Sequence, residues 1–132
     1  MQLSIPILNL QLDSVAITIG PSPVLKIFDG VLPDECQSPD DGDELVLMSL
    51  PVTWLEDAFD GMIAKSGTWQ GLATQAGTAR YFRIYSLAGT CGVQGTVTAA
   101  GGGGDMTVSS PGAQIYADSA VMVIGFTLAY TP

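Results

Sequence analysis

The chain contains no histidine and only four basic residues, Lys26, Lys65, Arg80 and Arg83, against 13 acidic ones. Without histidine, Ser–His and Cys–His nucleophilic pairs and His-ligated metal centres are excluded. Four scattered cations cannot neutralise a run of phosphates, and a formal charge of -9 repels one, so no nucleic-acid partner is expected. Cysteine is scarce as well. Cys36 and Cys91 have no C-x-x-C spacing, and Met1 to Asp13 lacks the basic n-region and compact apolar h-region of a secretory leader. Reduced thiols are therefore the expected state. The longest strongly apolar run, Ala120 to Tyr130 with Thr127 inside it, is too short to span a bilayer, so no membrane partner is expected either. Neither a G-x-S-x-G elbow nor an S-x-x-K pair occurs. Carboxylates abound, but six of the 13 gather in one loop without an aromatic platform, which is unlike the paired carboxylates of a glycosidase. These gaps predict a non-enzymatic protein with no cofactor and no catalytic or metal residues.

What is present points to a folded domain. The 132 residues suit one domain, and 47% hydrophobic against 13% charged residues is the reverse of a disordered composition. Low charge together with 16 glycines suits a surface that lies against other protein.

Residues 1–22 form an N-terminal helix or arm in this reading, and residues 23–132 form the main body. Leu8, Leu12, Val15, Ala16 and Ile19 fall at helical spacing, although Val15 to Ile19 also alternates like a strand. The helix is favoured, from Leu8 to Ile19, ended by Gly20 and Pro21. Beyond Pro23 the pattern is β throughout. Val24 to Phe28 reads as a strand closed by Asp29-Gly30, and Leu45 to Leu50 as an apolar strand stopped by Pro51. Recurrent glycines between Thr53 and Gly77 suit short strands joined by turns. Thr78 to Ser86 places Phe82 and Ile84 on one face, with Tyr81, Arg83 and Tyr85 on the other. Val93 to Thr98 and Met106 to Ser109 alternate as half-exposed strands. In the last strand, Val121 to Tyr130, the bulky set Met122, Ile124, Phe126, Leu128 and Tyr130 is expected to face the core. Its small set, Val121, Val123, Gly125, Thr127 and Ala129, is expected to meet a neighbour. Roughly seven or eight short strands with turn signals every ~8–12 residues predict an all-β fold. The architecture expected is an antiparallel β-sandwich, jelly-roll-like, with one short N-terminal helix or arm.

Several features invite chemistry and carry a plainer reading. Asp34, Glu35, Asp40, Asp41, Asp43 and Glu44 could cluster oxygens around calcium, but the EF-hand order is missing, and a solvated loop held open by like charges is favoured. Gly101 to Gly104 lacks the lysine and spacing of a phosphate loop and reads as a flexible turn. Trp54 and Trp69 are expected in the core rather than as a sugar-stacking pair. Tyr81, Arg83 and Tyr85 set a cation between two rings, a composition common at interface hot spots. Either this stripe meets a partner, or Arg83 pairs internally with an acidic residue while the tyrosines pack locally. The candidate interface is thus Tyr81, Arg83 and Tyr85 together with Val121, Val123 and Thr127.

Leu25-Lys26-Ile27-Phe28-Asp29-Gly30 followed by a Pro-containing loop into Leu45 to Leu50, then Thr78-Ala79-Arg80-Tyr81-Phe82-Arg83-Ile84-Tyr85 with Gly89-Thr90, resembles a family of small tailed-phage virion proteins. Gly103-Gly104-Asp105-Met106-Thr107-Val108 and the closing Val123 to Pro132 are similar to later strands of that family. The likeness runs over residues 23 to 132; Ser86 stands where the family commonly has Asp, and Trp54 to Trp69 matches loosely. It implies a jelly-roll-like capsid decoration (cement) protein, a dimer or trimer that straddles major capsid protein subunits on the outer surface of the virion. A head-fibre or tail-associated module that binds a receptor or glycan through Trp54 or Trp69 is the alternative.

Overall fold

The computed structural model describes residues 2–129. Helix α1 (Ile5–Ile19) leads into β1 (Val24–Phe28), β2 (Glu44–Ser49), β3 (Met62–Ala64), β4 (Trp69–Leu72), β5 (Gly77–Thr78), β6 (Tyr81–Tyr85), β7 (Cys91–Ala99), β8 (Met106–Val108), β9 (Gln114–Ile115) and β10 (Ala120–Ala129). The chain is mostly β with one helix, as expected. Tyr130 and the Pro132 end of the expected terminal strand lie outside the described residues. The helix starts three residues before Leu8, because Pro6 is tolerated in a first turn whose N–H groups have no intrahelical partner. Its Leu12 and Ile19 join the same core as the strands, and Asp13 Oδ1 and Asn9 Oδ1 accept hydrogen bonds from Ala58 N (2.8 Å) and Gly61 N (2.9 Å).

Antiparallel pairing joins β2, β1, β6 and β7 in that order; β8 then lies parallel to β7, and β10 returns antiparallel to β8. The sheet is therefore mixed, which corrects the expectation of a wholly antiparallel one. Parallel neighbours normally need a long crossover. Here the glycine tract replaces it by letting residues 100–105 double back along β7. A Cβ on Gly102 or Gly104 would stand 2.7 Å and 2.9 Å from Thr98 atoms. The return is pinned rather than loose: Thr98 Oγ1 accepts from Gly104 N (3.0 Å), and Asp105 Oδ2 accepts from Thr96 N (3.0 Å).

On the far side of β10, β4 pairs with Ala120 to Val123 and β3 with Thr127 to Ala129, so the two are halves of one interrupted strand. β4 then meets β2, the other end of the sheet, through a Val46–Ala73 bridge and a Thr74 N to Leu45 O bond of 2.8 Å. The sheet thus curls until its ends touch. Trp69, Phe82 and Phe126 fill the interior, with ring centroids 5.3 Å apart for Trp69–Phe126 and 5.5 Å for Phe82–Phe126. Burying one such side chain contributes about 1.5–3 kcal/mol, so this cluster is a principal anchor of the fold.

β10 departs from its expected facing. Val121 and Val123 are fully buried while Met122 and Ile124 are exposed. Val123 pairs with Trp69 on one side and Val108 on the other; beside an interior occupied by an indole, small side chains fit. The register against β8 then shifts between Val123 and Gly125, leaving Ile124 as an extra residue. Past this bulge the alternation inverts, and Phe126 points inward.

Candidate functional site

Two outer faces of the curled sheet were candidates for contact, and they differ. Over β1, β6 and β7, strand alternation does set Tyr81, Arg83 and Tyr85 on the outer side, but residues 31–43 fold down across them. Tyr81 is fully buried and Arg83 is 2% exposed. Arg83 Nη1 donates to Ser38 O (2.7 Å) and Asp40 Oδ1 (2.8 Å), Nη2 to Glu35 O (3.1 Å), and Nε to Gln94 Oε1 (3.1 Å). Tyr81 OH donates to Asp41 O (2.7 Å) and accepts from Asp41 N (2.8 Å), while Tyr85 OH donates to Asp40. Phe28 stacks on Tyr81 with centroids 4.8 Å apart. Burial pushes the Tyr81 phenol above its ordinary value, with the Asp41 backbone pulling the other way. Burial first, and then the Asp40 hydrogen bond, push Tyr85 up to about 12. Of the two readings of this stripe, internal pairing is the one the structure has.

The acidic loop is closed rather than held open. At its neck Gly30 and Gly42 pass so near that a Cβ on Gly30 would stand 2.3 Å from Asp41 O, and Gly42 sits at φ +78°. Asp29 Oδ1 accepts from Asp43 N (2.7 Å), and Asp41 Oδ2 from Val31 N (2.7 Å). Of its carboxylates, Asp40 is engaged by Arg83 and Tyr85 and Asp41 by the loop backbone, and no group of three or more metal-ligating side chains gathers among the described residues. A disulfide joins Cys36 to Cys91 with Cα atoms 5.6 Å apart, which corrects the expected reduced thiols. Folding of the loop onto the sheet brings the two together across 55 residues, a closeness no local spacing could signal.

Trp54 and Trp69 are buried, with ring centroids 6.1 Å apart; their indole N–H groups donate to Gly20 O (3.1 Å) and Ser66 O (3.0 Å). They offer no platform to a sugar. Val121 and Val123, expected at an interface, are core residues for the reason given above. Thr127 is exposed, on the outer side of β10.

The second outer face is bare. Leu47 on β2, Leu72 on β4, and Met122 and Ile124 on β10 are all exposed. Ala120 pairs with Leu72 and Met122 with Gln70, and the Val46–Ala73 bridge sets Leu47 opposite Leu72, so these side chains share one surface. This is the patch that sequence reasoning missed. The signal for it was present in the strict alternation of Val121 to Ile124, but its phase could not be chosen without knowing that Trp69 fills the interior. Comparison of the chain with family models, with curated proteins and with solved structures gives no match. No described helix is long and apolar enough to cross a membrane.

Proposed function

We propose that the chain is a decoration subunit of a tailed-phage head, one that adheres to neighbouring major capsid subunits and reinforces the shell. In this reading the curled sheet is a variant of the jelly-roll-like body of such subunits, the protein acts as a small homo-oligomer, and its place is the outer surface of the virion. The observation that carries it is the bare apolar surface of Leu47, Leu72, Met122 and Ile124, held on hydrogen-bonded strands of the body. An apolar patch on a rigid surface is where protein partners bind. Weak contacts suffice, because shell symmetry repeats them and each later contact forms at high effective concentration. The choice of a major capsid protein as the partner rests on the resemblance over residues 23 to 132.

Heads assembled with and without the subunit test the reading through thermal or osmotic rupture. Wild-type subunit should raise the rupture threshold, and Leu72→Asp/Met122→Asp should abolish both shell binding and that gain. Equal rupture of decorated and bare heads defeats the proposal.

A further inference from the structure

Helix α1 carries a second apolar stripe on the side away from the body. Leu8, Leu12, Val15, Ala16 and Ile19 face inward, whereas Ile7, Leu10, Ser14 and Ile17 follow one another at spacings of three, four and three on the opposite side. Ile7, Leu10 and Ile17 are 47%, 69% and 80% exposed. The turn that Asn9 and Asp13 hold against the helix adds Phe59, 80% exposed, and Ile17 also borders a cleft of about 520 Å³ walled by Val52, Trp54 and Ile63. We infer that this stripe is a self-association seam, on which α1 of one copy packs against α1 of a second copy.

Three observations favour a second copy as the occupant. First, the stripe has the a/d spacing by which two helices interlock, with Ser14 as a small polar residue at one seam position. A surface that complements itself closes into a dimer about a two-fold axis. Second, two chains of charge -9 repel one another nearly everywhere, but the only charged side chain of α1 is Asp13, and it is engaged with Ala58 N. Along α1 itself two copies can touch with little repulsion, with Glu56, Asp57 and Asp60 lying at the edge beside Phe59. Third, Ile7, Leu10, Ile17 and Phe59 expose on the order of 500 Å², more than half of the ~800 Å² per partner of a stable interface. A membrane fits less well, since helices that lie on lipid surfaces carry Lys or Arg on their polar face and α1 has neither.

The inference locates the self-association contained in the decoration reading and rests on that part alone; its assay contains no shell, so its failure leaves shell binding untouched. Sedimentation equilibrium of the full chain over a wide concentration range should show a monomer–dimer equilibrium. Leu10→Glu/Ile17→Glu should weaken it by about a hundredfold or more, because two charges would be buried in the seam. Both sites are exposed, so circular dichroism should report an unchanged fold. Ser14→Leu, which completes the stripe, should tighten it by about tenfold. A monomer at every concentration, an oligomer that keeps its size in the double variant, or a monomer that floats with neutral phosphatidylcholine vesicles through Leu10 and Ile17 would each overturn the inference.

Discussion

The two outer faces of the sheet are made of the same kind of strand and have opposite fates. The face of β1, β6 and β7 holds a buried guanidinium and two phenols, and the chain supplies its own cover in residues 31–43. The face of β2, β4 and β10 holds mainly aliphatic side chains, with Gln70 and Thr127 beside them, and has no cover among the described residues. The contrast follows from what each face would cost in isolation. A guanidinium taken from water requires hydrogen-bond partners at fixed positions, and a chain can provide these itself with loop carbonyls and a carboxylate. Aliphatic groups ask for area rather than for particular partners, so another molecule can satisfy them.

The most severe way to break the contrast is to strip the covered face of its cation. In Arg83→Met, Asp40 and the carbonyls of Glu35 and Ser38 lose their donor; breaking a buried pair costs about 3–5 kcal/mol, and the 39% exposure of the Asp40 side chain sets the expectation at the lower end. Chemical denaturation measures it, and a loss below about 1 kcal/mol would mean that Arg83 is not what holds the cover. The cross-link comes next. Cys36→Ser/Cys91→Ser, or reduction, should cost about 2–4 kcal/mol and lower Tm, without changing the far-UV spectrum of the sheet. Equal Tm with and without reductant would contradict the pairing.

Alkali probes the same face more gently. Tyr81 and Tyr85 are held protonated in the fold, so the stability they contribute is complete below their ordinary value of 10 and is lost as pH rises toward about 12 for Tyr85. Unfolding free energy should therefore decline above pH 10, and Tyr85→Phe, which removes one of the two groups, should flatten that decline. The smallest effect belongs to the bare face. Leu72→Asp/Met122→Asp, which removes shell binding in the proposed reading, should change stability by no more than about 0.5 kcal/mol per site, as surface substitutions do. A large loss would show that the face is part of the fold and not free for a partner.

Much of the body was legible before coordinates. Strands over Val24 to Phe28 and Leu45 to Leu50, the helix ending at Gly20 and the buried Trp54 and Trp69 follow from periodicity and bulk, which are local properties. What escaped was long-range. An acidic loop reads as solvated unless a cation waits beneath it, and Arg83 lies some 40 residues on. The cysteine pair needed that same closure. The parallel β7–β8 step needed glycines at Gly102 and Gly104 to be read as points of close approach rather than as slack. As for the contact surface, alternation in Val121 to Ile124 offered two phases, and bulk favoured the wrong one.

The extra residue at Ile124 has a consequence for how this strand can change over generations. Because the halves of β10 on either side of it run out of step, removing Ile124 alone would make the pairing with β8 continuous and leave Phe126 inward and Thr127 outward. A one-residue loss should therefore be accepted at Ile124 as well as in the turns that precede β10, while the rest of Val121 to Phe126 keeps its inward and outward order. Drift within that stretch is confined to substitutions that keep each position's side.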